Sequence, residues 1–183
     1  MDDLKIVKRI QDGNLDAFGT LYEAYIDKIY KFIYLKVSDR EIAEDITAEV
    51  FLKAFDTIEK FRIDKNSSFK AWIYKIAYHK VVDSYRTKKE SVNLEDVLHL
   101  WKSTDVHKLI DDKDLLQEVL TYLQDMKKEH RDVVFMRVWQ WLSYKEISEI
   151  SGQSVANCKK IFSRTCKKLN ANFVLLLLII ITL

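Results

Sequence analysis

The chain has 183 residues, 48% of them hydrophobic and 32% charged, so it is folded material for one ordinary domain or two small ones and not a disordered tail. Three glycines and no proline leave few residues that can form the turns of a β-rich protein, and an all-α fold is therefore predicted. The net charge of +2 does not by itself indicate a nucleic-acid-binding protein, so the distribution of charge along the chain has to decide.

Two amphipathic helices are predicted in the N-terminal half. Apolar residues recur at helical spacing from Leu15 to Val37, and again from Asp39 to Ile58, where Ser38 and Glu41 form a capping box. The inner face of the second helix is predicted to hold Ile42, Ile46, Val50 and Ala54, flanked by Ala43, Phe51 and Phe55. Its outer face is acidic and holds Asp39, Glu41, Glu44, Asp45, Glu49, Asp56 and Glu59.

The charge reverses in a third helix, which is predicted to begin near Ser68 after a polar loop at 62–67. Between Lys60 and Lys89 there are nine Lys or Arg residues and two acids. Six aromatic residues are interleaved with them, namely Phe61, Phe69, Trp72, Tyr74, Tyr78 and Tyr85. Core packing is the commoner role of any single aromatic residue, and we expect it for Phe69 and Trp72. The cluster as a whole favours single-stranded nucleic acid, whose bases stack on aromatic rings while cations follow the backbone.

The apolar periodicity weakens at 90–114, which we interpret as a linker with one short helix at 98–101. A second helical domain is predicted from Leu115, with a helix to Met126 and another over 130–139. Two short helices, at 143–151 and 154–169, are then separated only by Gly152 and Gln153, which is the outline of a helix-turn-helix.

The last helix has the pattern of a recognition helix. Ser143 with Glu146 forms a capping box for the preceding helix, and Ser154 can cap this one. The buried stripe is predicted to be Val155, Cys158, Phe162 and Leu169. Asn157, Lys160 and Arg164 share the opposite face, where they can contact base edges in the major groove, while Lys159, Ser163, Lys167 and Lys168 suit phosphates. The alternative is a surface helix whose lysines only confer solubility.

The sequence gives little support to an enzymatic function. The histidines at 79, 99, 107 and 130 are scattered, Cys158 and Cys166 lie too far apart on one helix to pair, and no glycine-rich phosphate loop exists. We therefore expect no metal, no cofactor and no catalytic residue. The N-terminus lacks the apolar core of a secretory signal, so a cytoplasmic protein is expected.

Residues 173–183 contain no charge but are too few to span a bilayer, which takes about 20 residues. Contact with a partner groove or a membrane surface is the hypothesis for this tail, and a reading-frame accident is the alternative.

These motifs resemble the extracytoplasmic-function sigma factors of bacterial RNA polymerase. AEDITAEVFLKAF at 43–55 is similar to region 2.2 of that family, SFKAWIYKIAYHKVVDSYRTKK at 68–89 to regions 2.3 and 2.4, and LSYKEISEISGQSVANCKKIFSRTCKKL at 142–169 to region 4.2. The resemblance implies an all-α protein with a region 2 domain at 1–89, a flexible linker at 90–114, a region 4 domain at 115–170 and a tail at 171–183.

The resemblance also implies roles for individual residues. Core RNA polymerase would be contacted by Glu44, Asp45, Glu49 and Phe51. The melted minus-10 element would be held by Phe61, Arg62, Lys65, Asn66, Lys75, His79, Lys80 and Arg86. The minus-35 element would be read by Ser154, Asn157, Lys159, Lys160, Ser163, Arg164 and Lys167. An anti-sigma protein is a further partner that the family implies, although no residue pattern indicates one.

Two departures from the family pattern limit what can be transferred. Tyr78 and His79 stand where many members have Arg-Asn, and Ala156-Asn157-Cys158-Lys159 stands where Gly-Thr-Val-Lys is common. The promoter sequence therefore cannot be inferred from the resemblance.

The strongest alternative is a stand-alone helix-turn-helix regulator with an N-terminal ligand or dimerisation domain. It explains the C-terminal half equally well, but it does not explain why an acidic helix precedes a basic aromatic one.

Overall fold

The computed structural model describes residues 2–37, 39–64, 67–87, 122, 125–138 and 140–168, and at 85–87 it describes the backbone alone. The predicted linker, nearly all of the predicted helix from Leu115 and the apolar tail lie outside these residues. The chain divides into two compact units, Met1–Val92 and Asn93–Leu183, which are described separately below.

The described residues form helices and no strand, which confirms the all-α prediction. The first unit contains α1 (Asp3–Gln11), α2 (Phe18–Val37), α3 (Arg40–Thr57) and α4 (Phe69–Thr87), with 3-10 turns at Leu15–Ala17 and Ile58–Lys60. The second unit contains α5 (Lys128–Val138), α6 (Tyr144–Ser151) and α7 (Val155–Lys168). None of the described helices is long and apolar enough to cross a membrane.

Helix α1 was not predicted from the sequence. Asp2 caps it by accepting a hydrogen bond from the Lys5 amide, and its buried face is Ile6, Val7 and Ile10. The chain then reverses at Gly13, whose φ of 103° is a conformation that residues with a Cβ rarely adopt. The first predicted helix consequently begins at Phe18 and not at Leu15, which lies in a 3-10 turn.

The start of α3 differs from the prediction by one residue. Asp39, in place of the predicted Ser38, is the N-cap, because its carboxylate accepts a hydrogen bond of 3.0 Å from the Ile42 amide. A carboxylate at this position also interacts favourably with the positive end of the helix dipole.

Aromatic rings from α2 hold the first unit together. They meet rings of α3 and α4 edge to face, with centroid distances of 5.1 Å for Phe18–Phe55, 4.8 Å for Tyr22–Phe51, 5.4 Å for Tyr25–Phe69 and 5.1 Å for Phe32–Tyr74. Such pairs contribute about 0.5–1.5 kcal/mol each beyond the area they bury. Helix α2 is therefore the element against which both charged helices are positioned.

A lysine is buried at the end of α2. Lys36 is only 7% exposed, and its ammonium lies 4.9 Å from the ring centroid of Phe32 and 5.6 Å from that of Tyr78. The two ring faces offset part of the desolvation of the charge, and the negative end of the α2 dipole contributes as well.

The turn chemistry of the second unit is as predicted. The Ser143 hydroxyl accepts from the Glu146 amide and the Glu146 carboxylate accepts from the Ser143 amide, which completes the capping box. Gly152 ends α6 with a φ of 72°, and Ser154 caps α7 by accepting from the Asn157 amide at 3.2 Å.

Trp141 adopts a left-handed conformation, with a φ of 53°, in the turn between α5 and α6. Its side chain is 52% exposed, so about half of the indole is packed against the protein. Arg137 stabilises the turn, because its guanidinium donates to the carbonyl oxygen of Leu142 at 2.9 Å and lies 4.9 Å from the Tyr144 ring centroid.

Glycine at position 141 should make the second unit more stable than alanine does. Left-handed backbone costs a residue with a Cβ about 1–2 kcal/mol, a cost that glycine avoids. Trp141→Ala is the matched control, since it also removes the indole but keeps the Cβ. We expect Trp141→Gly to exceed Trp141→Ala by about 1 kcal/mol in the free energy of unfolding, measured by urea denaturation with circular dichroism. Equal stabilities would show that the turn relaxes.

Tyr74 should make the stability of the first unit steeply dependent on alkaline pH. Its side chain is fully buried, and desolvation raises the pKa of the phenol well above its ordinary value of 10. The stabilisation from the neutral phenol is therefore fully present below pH 10, the unfolded pKa, and is lost as the pH rises toward the folded pKa.

Tyr74→Phe should remove this dependence. Above pH 10 its free energy of unfolding should fall less steeply than that of the wild type, by up to about 1.4 kcal/mol per pH unit. Urea unfolding at a series of pH values measures the slope, and the region below pH 9 provides the control, because the two slopes should be parallel there. Identical slopes throughout would contradict the burial of the phenol.

Candidate nucleic-acid interface

Helix α7 presents a continuous polar face. The predicted base-contacting residues Asn157, Lys160 and Arg164 are all exposed. So are the other residues that were predicted to contact the minus-35 element, namely Ser154, Lys159, Ser163 and Lys167. The structure thus brings all seven to the surface of one helix.

The buried stripe of α7 differs in part from the prediction. It consists of Cys158, Ile161 and Thr165, whereas Val155 is 37% exposed. Phe162 is half-buried against the ring of Tyr144, at a centroid distance of 6.1 Å. The stripe is displaced because Ile161 and Thr165, at i+3 and i+7 from Cys158, face α5 and α6 more directly than Val155 and Phe162 do.

Asn157 belongs to the interface together with a residue that the sequence analysis assigned only to the turn. The Asn157 amide nitrogen donates to the side-chain oxygen of Gln153 at 2.5 Å. Gln153 lies just before the helix and its backbone amide bonds to Ser151 Oγ, so the turn fixes its position. The two amides present a preformed pair of donors and acceptors at the start of α7.

Helix α7 is strongly basic. The helix contains Lys159, Lys160, Arg164, Lys167 and Lys168 and no acidic residue. Within the described residues none of these cations is in an ion pair, although the Lys168 ammonium lies 4.9 Å from the ring centroid of Tyr122. A helix face with this charge favours a polyanion.

Two thiols flank this face without contributing reactivity. Cys158 is buried and Cys166 is half-buried, and in both cases burial raises the pKa of the thiol. Both therefore remain protonated near neutral pH, where the thiolate is the reactive form.

The loop between α3 and α4 is anchored by the end of α1. The Gln11 side chain donates to the carbonyl oxygens of Ile58 at 3.0 Å and Phe61 at 2.7 Å. The Phe61 ring is half-buried and lies 5.3 Å from Trp72, itself half-buried and 5.6 Å from Phe69. Phe61 and Trp72 therefore form a partly open aromatic surface at the base of the loop.

Serine hydroxyls bond to the described residues at both ends of this loop. Ser67 Oγ donates to the Arg62 carbonyl oxygen at 2.6 Å and accepts from the Asp64 amide at 2.9 Å, while Ser68 Oγ accepts from the Ala71 amide and caps α4. Arg62 is exposed, and the predicted contacts Lys65 and Asn66 lie outside the described residues.

A cavity opens beside this loop. Its volume is about 370 Å³, and it lies between the starts of α1 and α4, where Asp2, Asp3, Leu4, Ser67, Ser68 and Phe69 line it. The cavity is open to solvent on one side, and two of its six lining residues are aspartates.

The basic face of α4 is only partly available to a polyanion. Lys75 and His79 are exposed, but the Lys80 ammonium pairs with the Glu49 carboxylate of α3 at 2.5 Å. The side chain of Arg86 lies outside the described residues. Tyr74 is not available for stacking, because it is fully buried.

The acidic face of α3 is exposed as predicted at Glu44, Asp45 and Glu49. Phe51, which was grouped with them as a contact to polymerase, requires a correction. It is only 4% exposed, and its ring packs edge to face against Tyr22, so it contributes to the core and not to the outer surface.

An apolar patch next to the acidic face was missed by the sequence analysis. It consists of Leu15, Tyr22, Leu52 and Phe55, with exposures of 50%, 43%, 65% and 42%. Large apolar side chains grouped on a surface indicate an interaction site. The sequence contains a partial signal, because Leu52 falls outside the predicted inner face of α3, but Phe55 fits that face and was assigned to it.

Gly19 lies on α2 between Leu15 and Tyr22 of this apolar patch. Its backbone is helical, and a Cβ there would meet no atom within 4 Å, so nothing in the described part of the chain requires glycine. Glycine near the start of a helix costs up to about 1 kcal/mol relative to alanine.

Comparison with known families assigns both halves of the chain. Residues 21–91 match Sigma-70 region 2, and residues 116–169 match Sigma-70, region 4.

The relatives and a solved structure agree with this assignment. The chain is 28% identical over 170 residues to the ECF RNA polymerase sigma factor BldN of Streptomyces coelicolor, covering 91% of this chain and 64% of that protein. It is 29% identical to the ECF RNA polymerase sigma factor SigW of Bacillus subtilis, covering 85% and 88%. CnrH, solved in complex with the cytosolic domain of CnrY, has the same fold, with a TM-score of 0.61 at 20% identity over 93% of this chain and 96% of that one.

Proposed function

Since the chain belongs to the sigma-70 family, in its extracytoplasmic-function group, we propose how its surfaces divide the contacts of promoter-directed transcription initiation. As a sigma factor it directs RNA polymerase to promoters. The observation that carries the proposal is the segregation of charge and apolar surface: α3 is acidic beside an apolar patch, whereas α4 and α7 are basic. The proposed boundaries are 1–89 for region 2, 90–114 for the linker, 115–170 for region 4 and 171–183 for the tail.

Core polymerase is proposed to bind the outer face of α3. Glu44, Asp45 and Glu49 supply charge that selects a basic partner surface, and Leu52 and Phe55 supply apolar area. Protein interfaces commonly have an apolar centre, which supplies much of the affinity, and a charged rim, which selects the partner. Phe51 supports this surface from below.

Melted minus-10 DNA is proposed to bind α4 and the loop before it. A base extruded from the duplex would enter the cavity lined by Ser67, Ser68 and Phe69. Neighbouring bases can stack on the Phe61 and Trp72 rings, which contact the Phe69 ring. Arg62, Lys75, His79 and Lys80 would contact the strand, together with Lys65, Asn66 and Arg86, which stay predictions from the resemblance. Binding energy would hold the strands apart, so no catalytic step and no cofactor are proposed.

The minus-35 duplex is proposed to bind α7 in its major groove. The base edges would be contacted by Asn157 together with Gln153, by Lys160 and by Arg164. The phosphates on either side would be contacted by Lys159, Ser163 and Lys167. A stand-alone regulator, the alternative function, would use α7 in the same way, but it would have no need of a region 2 domain.

Three further parts of the proposal do not rest on these surfaces. An anti-sigma protein is a second proposed partner, on the family alone. The proposed location is the cytoplasm, where polymerase works and which was also expected from the N-terminal sequence. Contact of the apolar tail with a partner or membrane is a hypothesis from the composition of residues outside the described ranges.

Leu52→Ser should weaken binding to core polymerase. The side chain is 65% exposed, so its loss should not change the fold. An apolar anchor in an interface is commonly worth about 2 kcal/mol or more of binding free energy, which is at least tenfold in affinity. Lys53→Ser changes the adjacent exposed residue and serves as the control. Fluorescence anisotropy with purified core polymerase measures both affinities, and equal values for the two variants would remove the apolar patch from the proposed interface.

Arg164→Ala should weaken use of the minus-35 element by about 5- to 100-fold while core binding stays intact, because a side chain that reads a base edge contributes about 1–3 kcal/mol. Run-off transcription with core polymerase, on promoters identified by sequencing the start sites, measures the effect. Lys159→Ala should instead weaken binding to all DNA sequences alike. It should also reduce by about one the slope of the logarithm of DNA affinity against the logarithm of salt concentration. Loss of core binding by Arg164→Ala would show that α7 has been assigned to the wrong partner.

A further inference from the structure

An ion pair links the two oppositely charged helices of the first unit. Glu49 of α3 and Lys80 of α4 are 31 residues apart in sequence, and their carboxylate and ammonium lie 2.5 Å apart. Neither side chain is buried, since Glu49 is 56% and Lys80 36% exposed, so both could exchange this contact for another one at the surface.

The two members of this pair belong to different proposed interfaces. Glu49 lies on the face proposed for core polymerase, and Lys80 lies on the face proposed for melted DNA. A lysine that is neutralised by a carboxylate releases fewer counterions from a DNA strand, and the carboxylate also repels the phosphates. While the pair is intact, the surface of α4 is a weaker ligand for a polyanion than its sequence suggests.

We propose that the Glu49–Lys80 ion pair is an autoinhibitory contact, which withholds Lys80 from DNA until core polymerase engages Glu49. The proposal rests on the function assigned above to the two faces. Once a basic group of polymerase binds Glu49, Lys80 loses its partner and becomes available to a phosphate. Binding to polymerase and binding to single-stranded DNA then favour each other, as linkage requires.

The size of the effect should be modest. An exposed ion pair is weak, so its removal should raise the affinity of the isolated protein for single-stranded DNA by about two- to fivefold. The pair thus biases the protein against DNA in the absence of polymerase and does not block DNA absolutely, since Lys75 and His79 on α4 stay exposed.

The same helix offers a matched control. Glu44 is also exposed and is also in an ion pair, but its partner is Arg40 of α3, at 2.8 Å, and not a residue of α4. Glu44→Gln and Glu49→Gln therefore remove the same charge and an ion pair from one helix, and only the second variant frees a cation of the proposed DNA surface.

The test measures the affinity of the isolated full chain for a short fluorescent single-stranded oligonucleotide of mixed sequence at low salt. Glu49→Gln should bind about two- to fivefold more tightly than Glu44→Gln. This excess should vanish when both substitutions are made in a Lys80→Gln background. If Glu49→Gln and Glu44→Gln have the same affinity, or if the excess persists without Lys80, the proposal is wrong.

A second measurement tests the release of Lys80 by polymerase. The rate at which an amine-reactive reagent modifies Lys80, relative to exposed Lys75, is followed by mass spectrometry in the free chain and in its complex with core polymerase. The ratio should rise in the complex, and a ratio that stays constant or falls would overturn the proposal.

Failure of the assigned function would look different. In that case no variant would bind the oligonucleotide, with or without core polymerase, whereas failure of the autoinhibitory contact alone leaves binding in place and makes it independent of the Glu49–Lys80 pair.

Discussion

The first unit depends on the edge-to-face contacts that α2 makes on both of its sides. Rings of α2 meet Phe51 and Phe55 of α3, and other rings of α2 meet Phe69 and Tyr74 of α4. Because these contacts set the rotation of α3 and α4 about their own axes, they also decide which side chains of the two helices point outward. The opposite charges of the two surfaces are thus oriented by a neutral aromatic core, and a loss of ring contacts would alter both surfaces together.

Local signals were sufficient to predict the helix-turn-helix. Ser143, Glu146, Gly152 and Ser154 form their bonds within a few residues, so their spacing alone determines the caps and the turn. For the same reason the exposed face of α7 followed from its spacing. Its buried stripe was only partly right, because whether Val155 and Phe162 or Ile161 and Thr165 are buried depends on where α5 and α6 lie against the helix.

Contacts between distant segments could not be predicted from spacing. Phe51 and Phe55 are four residues apart and fit the same inner face, yet one is buried and the other is 42% exposed, because α2 covers the first ring more fully than the second. The pairing of Glu49 with Lys80 likewise requires the packing angle of α3 and α4. The sequence analysis therefore identified the charged helices and their classes of partner, but not which charges are already neutralised.

The two hydrogen bonds from Gln11 to the backbone at Ile58 and Phe61 tie the extreme N-terminus to the nucleic-acid surface. A version of this chain that starts after residue 12 would still contain every Lys, Arg, His and aromatic residue of the proposed DNA contacts, although not Asp2, Asp3 and Leu4 of the cavity lining. It would nevertheless leave those carbonyl oxygens without their amide donor and would uncover the apolar surface that Val7 and Ile10 occupy. Residues with no direct part in recognising a promoter can therefore determine the shape of the loop that receives the opened strand, and minimal fragments of this protein should be chosen to include them.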